Sequence, residues 1–131
     1  MMMMRQMQKL SAAATHKRVA VQAVRAFSAT AGFPTRLNEE ERTKAFAQIT
    51  SAWQPVVNRD AIQRTFLFKD FNQAWAFMSQ TAELAETMNH HPEWFNVYNR
   101  VEVTLSTHDC GGLSKNDVEM AVAMNKFAES M

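Results

Sequence analysis

Three histidines and one cysteine are the side chains with which this chain could most readily do chemistry. His90 and His91 are adjacent and precede Pro92, whereas His108 and Cys110 lie together further along the chain. An imidazole has an ordinary pKa of about 6.5, so it can donate or accept a proton at neutral pH, which typically accelerates a reaction by about 10²–10⁴-fold. Acid/base catalysis is therefore the first hypothesis for these residues.

The same side chains also fit two other kinds of site. Three histidines and Cys110 would supply four zinc ligands, although adjacent histidines rarely bind one ion and the sequence has neither Cys-x-x-Cys nor His-Glu-x-x-His spacing. Alternatively, the histidines could serve only in structural hydrogen bonds. Spacing alone leaves the three interpretations open. Cys110 as a nucleophile would need a nearby base or helix N-terminus, and an unreactive, half-buried thiol is the simpler interpretation.

Three further side chains accompany the histidines. Glu86 lies four residues before His90, a spacing at which helical side chains meet. Its carboxylate is therefore expected to favour the charged ring of that histidine and to fix its tautomer. Trp94 could stack on a flat heteroaromatic ligand or fill the core of a hairpin. Asp117 is expected first of all to cap a helix.

The helices that must position these residues are predicted from caps and apolar spacing. They begin at residues that commonly cap a helix N-terminus, which are Asn38, Asp70 and Ser114. Because the residue before a proline disfavours helical angles, the second helix is expected to end near Asn89 or His90. The apolar stripe of the first helix consists of Ala45, Phe46 and Ile49. The apolar face of the second consists of Phe71, Trp75, Met78, Ala82, Ala85 and Met88.

Alternating apolar residues and turn signals predict four strands. These strands cover residues 53–57, 62–69, 94–98 and 101–107. Pro55 confines the first strand to a sheet edge, because proline donates no hydrogen bond to the ladder. The last two strands form a hairpin about Asn99 and Arg100. Antiparallel pairing brings both ends of this hairpin to one edge, so His90, His91 and His108 can converge on one site.

The predicted order of elements is α-β-β-α-β-β-α. Two hairpins separated by a helix predict an α+β fold, a four-stranded antiparallel sheet with three helices packed on one face. The unpaired outer strands leave edges that favour oligomerisation.

The first 36 residues differ in charge from the rest of the chain. They hold six of the 14 Lys and Arg residues and no acid, which leaves eight bases against 13 acids in residues 37–131. An acidic domain argues against nucleic acid as a direct partner, because phosphate contacts need a basic face. No apolar run reaches the roughly 18 residues that a membrane-spanning helix needs, so no membrane partner is expected.

The composition of residues 1–36 is also typical of a targeting sequence. A stretch rich in Met, Ala, Ser, Thr and Arg, without acids, favours a mitochondrial transit peptide and hence a mitochondrial location. The alternative is a disordered extension on a cytoplasmic protein. Either way, we assign residues 1–36 to a leader and residues 37–131 to the folded domain.

Two segments of this domain resemble a known family. Residues 86–98 read ETMNHHPEWFNVY, and residues 105–114 read LSTHDCGGLS, with Asp117 following. Together with Arg59-Asp-Ala-Ile and Phe68-Lys-Asp-Phe-Asn, they resemble the pterin-4a-carbinolamine dehydratases over residues 37–131. The His-His-Pro-Glu-Trp segment and the distant Ser-Thr-His are the specific parts of this resemblance.

The resemblance implies a reaction and a set of residues for it. The reaction is dehydration of 4a-hydroxytetrahydrobiopterin to the quinonoid dihydropterin in tetrahydrobiopterin recycling, with no metal and no cofactor. By similarity, His90 and His108 transfer protons, and His91 mainly binds the pterin. The substrate-binding residues implied are Glu86, which orients a histidine, Asn89, Trp94 as a pocket wall, Ser106, Thr107 and Asp109. Asn89 stands where vertebrate members carry an acid, so it offers a hydrogen bond without a charge.

The resemblance also implies partners. It suggests a homodimer or homotetramer, the latter built as a dimer of dimers. Animal members stabilise the dimer of a homeodomain transcription factor, which makes a protein-interaction module the alternative function. A role in other pterin or molybdopterin metabolism is a further alternative.

Overall fold

A computed structural model describes residues 33–131 of the chain. The helices in these residues are α1 (Glu39–Gln48), α2 (Phe71–Met88) and α3 (Lys115–Glu129). The strands are β1 (Gln54–Pro55), β2 (Ile62–Leu67), β3 (Glu93–Val97) and β4 (Arg100–Leu105), and a 3-10 turn covers His108–Cys110. Within residues 33–131, no helix is long and apolar enough to cross a membrane. All but the end of the predicted leader lies outside these residues, so the transit peptide stays a prediction.

Each helix begins at the cap that the sequence predicts. The Asn38 side chain accepts a hydrogen bond from the backbone N–H of Glu41, whose carboxylate accepts one in return from Asn38 N. Ser114 and Asp117 form a second capping box before α3, and the Asp70 side chain caps α2. These bonds satisfy N–H groups that have no partner inside the helix, so the sites of helix initiation are determined locally.

The sheet buries one face and exposes the other. Its strand order is β1-β2-β4-β3, with every neighbouring pair antiparallel. On β4, Val101, Val103 and Leu105 are fully buried, whereas Glu102 and Thr104 between them stay partly exposed on the opposite face. Side chains from α1, α2 and α3 join the buried face in one core cluster. The predicted α+β fold is therefore confirmed, with Pro55 in an edge strand.

The buried face of α2 differs from the prediction. The fully enclosed positions are Ala74, Phe77, Thr81 and Ala85, a stripe with i, i+3 and i+4 spacing. By contrast, Phe71 and Trp75 are 43% and 57% exposed, and Ala82 is exposed as well. Of the predicted face, Ala85 is buried and Met78 and Met88 pack partly buried against the core, but the prediction leaves out Phe77. The core instead receives small residues that let the helix approach the sheet, together with Phe77, whose ring lies 4.6 Å from that of Phe66.

Smaller differences concern one helix position and one turn. Phe46 of α1 is 38% exposed, although Ala45 and Ile49 are buried as expected. The hairpin turn lies one residue earlier than predicted, because Val97 pairs with Arg100 in the ladder. Tyr98 takes the left-handed region at φ 50° to make this two-residue turn.

Candidate active site

The register of the β3–β4 hairpin brings two distant segments together. Glu93 pairs with Thr104 at the end of the ladder, and just beyond it His90 and Thr107 both bind the side chain of Asp117. His90 follows the end of α2, and Thr107 precedes the 3-10 turn. The candidate site therefore lies where α2, β3, β4 and the start of α3 meet.

His90 is buried against a carboxylate from α3. Its Nε2 lies 2.8 Å from Oδ1 of Asp117, and the two side chains are 7% and 0% exposed. The other oxygen of Asp117 accepts hydrogen bonds from Thr107 Oγ1 at 2.7 Å and from Ser114 N at 2.9 Å. Because an ionised carboxylate only accepts, it holds the proton of His90 on Nε2 and turns Nδ1 away from itself.

His91 forms the second histidine–carboxylate pair of the site. Its Nε2 lies 2.6 Å from Oε2 of Glu86, with both side chains exposed, at 57% and 78%. The predicted partner of Glu86 was His90, so that prediction is wrong. The helix ends at Met88, and Asn89 adopts the left-handed conformation with φ 50° and ψ 44°. This turn sends His90 inward to Asp117 and leaves His91 on the outer side with Glu86.

The other residues predicted for the site lie around these two pairs. His108 and Asp109 are exposed in the 3-10 turn, and Asn89 is the exposed C-cap of α2. Trp94 is half-buried and packs against the core. Thr107 is buried and engaged with Asp117, so its hydroxyl is used within the protein.

Ser106 and Cys110 make hydrogen bonds to backbone carbonyls. The Ser106 hydroxyl donates to the carbonyl of Asp60 at 2.9 Å. The Cys110 thiol lies 3.4 Å from the carbonyl oxygen of Gly112 and 3.7 Å from that of Thr107. This half-buried thiol matches the unreactive interpretation. Among the described residues, no group of three or more His, Cys, Asp or Glu side chains is placed to hold a metal ion together.

Two features of the site were missed from the sequence. Asp117 was expected only as a cap, and its bond to His90 depends on how α3 packs against the hairpin. Asp60 lies between the first two predicted strands and was given no role, yet its carboxylate forms a bidentate pair with Arg42, at 2.6 and 2.9 Å, and accepts from Leu113 N at 3.2 Å. Neither partner lies close to its carboxylate in sequence, so no local spacing could have indicated them.

The Asp60–Arg42 pair makes stability depend on pH. The hydrogen bonds from Arg42, aided by Leu113 N, hold the pKa of Asp60 below its usual range. A carboxyl whose folded pKa is lowered adds stability above its unfolded pKa of about 3.9, and this contribution is lost as the pH falls through the folded pKa.

We therefore expect Asp60→Asn to cost about 1 kcal/mol of unfolding free energy at neutral pH, as for a partly exposed pair. The difference from the wild-type chain should shrink as the pH falls from about 4 through the lowered folded pKa of Asp60, because below that pKa Asp60 is protonated in both states. Urea unfolding at a series of pH values measures it. A difference that stays constant down to pH 2 would show that the charge of Asp60 contributes nothing.

Comparison with known proteins shows the family of this chain. The sequence model of the family described as pterin 4 alpha carbinolamine dehydratase matches residues 35–127. The pterin-4-alpha-carbinolamine dehydratase of Drosophila melanogaster is 55% identical over 94 residues, which are 71% of this chain and 49% of that protein. A relative from Jannaschia sp. (strain CCS1) is 52% identical over 95 residues, covering 72% of this chain and 97% of its own length.

A solved structure of a pterin dehydratase also matches this chain. The crystal structure of a transcriptional coactivator/pterin dehydratase from Brucella melitensis superimposes with a TM-score of 0.68 at 50% sequence identity. The match covers 72% of this chain and 99% of that one. The fold and the site thus define a dehydratase of the hydro-lyase class. The chain belongs to the pterin 4 alpha carbinolamine dehydratase family.

Proposed function

We propose that this chain dehydrates 4a-hydroxytetrahydrobiopterin to the quinonoid dihydropterin by histidine acid/base catalysis, and so supports tetrahydrobiopterin recycling. The observation that carries the proposal is the pair of carboxylate-bound histidines, His90 on Asp117 and His91 on Glu86, together with Thr107, the neighbour of His108, which binds the same Asp117. Carboxylate-oriented imidazoles are suited to proton transfer at neutral pH.

The reaction needs two proton transfers. The C4a–O bond breaks, and an acid protonates the departing hydroxyl so that it leaves as water. A base removes the proton from N5. The electron pair that this proton leaves on N5 forms the C4a=N5 double bond. One group that gives a proton and one that accepts a proton are therefore sufficient. The proton given to the hydroxyl equals the proton taken from N5, so the net change is the loss of one water molecule.

Within this scheme, we assign the two proton transfers to His90 and His108, and substrate binding mainly to His91. Asp117 supports the first assignment, because it holds the ring of His90 in one tautomer. The assignments of His91 and His108 are supported by their exposure, since both side chains are open to a ligand in solution. Trp94 stands close by in β3 as a wall for a flat pterin ring.

A direct assay tests the function. The 4a-hydroxy substrate is generated in situ by an aromatic amino-acid hydroxylase, and its dehydration is followed by absorbance with and without the full chain. We expect acceleration over the spontaneous reaction that persists when a chelator is added. A folded chain that gives no acceleration would overturn the proposal, and loss of the acceleration on chelation would favour a metal-dependent site instead.

We also propose that the protein assembles as a homodimer or homotetramer. Two apolar surfaces support this proposal. On α2, the rings of Phe71 and Trp75 stack at 6.1 Å and stay exposed. On the outer face of the sheet, Leu67, Phe95 and Val97 are 72%, 57% and 50% exposed. Two separate apolar surfaces on one chain fit a dimer of dimers.

Sedimentation of variants tests the assembly. We expect Trp75→Glu to lower the oligomeric state by one step, because a charge cannot be buried in an apolar contact without a partner. Gln80→Glu, which adds the same charge elsewhere on the exposed surface of α2, is the control and should leave the state unchanged. Equal sedimentation of all three chains would show that this face of α2 is not an interface.

Stabilisation of a transcription factor dimer is the second candidate function. The observations that favour it are the exposed aromatic face of α2 and the description of the Brucella protein as a transcriptional coactivator. This function would survive His108→Ala and fail with Trp75→Glu. The dehydratase function would show the opposite pattern.

A further inference from the structure

The loop that carries His108, residues 106–113, is held at both of its ends by one residue. The Ser106 hydroxyl donates to the backbone carbonyl of Asp60 at 2.9 Å, and the N–H of Leu113 donates to the carboxylate of the same residue at 3.2 Å. Between these ends, Thr107 and Gly112 exchange backbone hydrogen bonds of 2.8 and 3.2 Å. Asp60 therefore holds both ends of this closed loop, while Arg36 donates to its middle, to the carbonyls of Cys110 and Gly111 at 3.0 and 2.8 Å.

Asp60 is itself held by α1. Arg42 binds both of its carboxylate oxygens, at 2.6 and 2.9 Å, and donates from Nε to the carbonyl of Leu37 at 2.9 Å. The backbone N–H of Leu37 in turn donates to the carbonyl of Leu113 at 2.9 Å. These bonds close a ring from the loop through Asp60 and α1 back to the loop.

The contact between the carboxylate and the loop leaves no spare room. A Cβ added to Gly112 would lie 2.1 Å from Oδ2 of Asp60. Because real side chains do not tolerate such a distance, glycine is required here for the backbone to lie against the carboxylate. The fit between Asp60 and the loop is therefore specific.

We propose that Asp60, held by Arg42, is a positioning residue that sets the place of His108 for proton transfer. The proposal rests on the proposed function. The side chain of His108 is exposed, so its place depends on the backbone of the loop rather than on packing around the ring. A displacement of about 1 Å can cost about 100-fold in rate, and the bonds of Asp60 to both ends of the loop oppose such a displacement.

A double-mutant cycle tests the proposal. We expect Asp60→Ala to lower kcat by about 10- to 100-fold with little change in KM, because substrate still binds while the proton-transfer group is displaced. Combining it with His108→Ala should give a kcat no lower than that of His108→Ala alone. A merely structural role would instead multiply the two losses, and that result would overturn the proposal.

Two further variants sharpen the experiment. Arg42→Lys keeps the positive charge but loses the bidentate geometry, so a smaller loss of kcat with the same dependence on His108 is expected. This variant decides the question alone if Asp60→Ala does not fold. The matched control is Arg59→Ala, which breaks the neighbouring bidentate pair with Glu93, at 2.8 and 2.7 Å, and should keep the wild-type kcat.

The outcomes separate this proposal from the proposed function. If the wild-type chain dehydrates the substrate and His108→Ala retains full activity, then the role of His108 fails and not merely its positioning. If His108→Ala loses activity while Asp60→Ala and Arg42→Lys keep the wild-type kcat, then only the positioning role is overturned.

Discussion

Replacement of His108 by alanine is expected to lower kcat for the dehydration by about 10²- to 10⁴-fold, the usual contribution of a general acid or base. The protein should remain folded, because His108 is exposed and its loop is held by backbone contacts and by Asp60. Steady-state kinetics with the in situ substrate measures the effect, and thermal unfolding checks the fold.

His91→Ala is the informative comparison. Its imidazole is exposed and bound to Glu86, and we assign it mainly to substrate binding. The change should therefore raise KM more than it lowers kcat, whereas His108→Ala should do the reverse. If the two variants change KM and kcat in the same proportion, the division of roles between these histidines is wrong. If neither loses activity, the roles assigned to His91 and His108 are both overturned.

Replacement of Asp117 by alanine is expected to have the largest effect on stability, with a loss of about 3–5 kcal/mol of unfolding free energy. Asp117 is fully buried and accepts hydrogen bonds from His90, Thr107 and Ser114. Removing the carboxylate leaves several buried donors without an acceptor, and breaking a buried pair on one side carries a cost of this size. Urea unfolding measures it.

Two variants make the Asp117 result interpretable. Asp117→Asn keeps the shape but offers one acceptor instead of two, so a smaller loss of about 1–3 kcal/mol is expected, along with a lower kcat as the ring of His90 loses its orientation. Glu119→Ala, at an exposed position of the same helix, is the control and should change stability by less than about 0.5 kcal/mol. A loss from Asp117→Ala no larger than that of the control would contradict the buried network.

Much of the fold could be predicted because its signals are local. Asn38, Asp70 and Ser114 mark helix starts, since a cap and its N–H partner lie within three residues of each other. The alternation along β4 and the end of α2 near Pro92 likewise depend on neighbouring residues only. The order of elements and the α+β class followed from these signals.

The packing of α2 could not be predicted with equal success. Its sequence offers two apolar stripes, one with Phe71 and Trp75 and the other with Ala74 and Phe77. Both satisfy helical spacing, so the choice depends on which stripe complements the sheet. That choice is made by side chains far away in the sequence, such as Phe66 of β2.

The sequence by itself determined where each helix begins and how the strands alternate, and it predicted that the histidines gather at one end of the hairpin. The tertiary structure alone decided which carboxylate each histidine binds. The left-handed turn at Asn89 directs His90 to Asp117, 27 residues away in sequence, and leaves Glu86 to His91. The physical reason is range: a cap or a strand face is specified within a few residues, whereas a buried hydrogen bond between a histidine and a carboxylate forms only after distant elements have packed and excluded water.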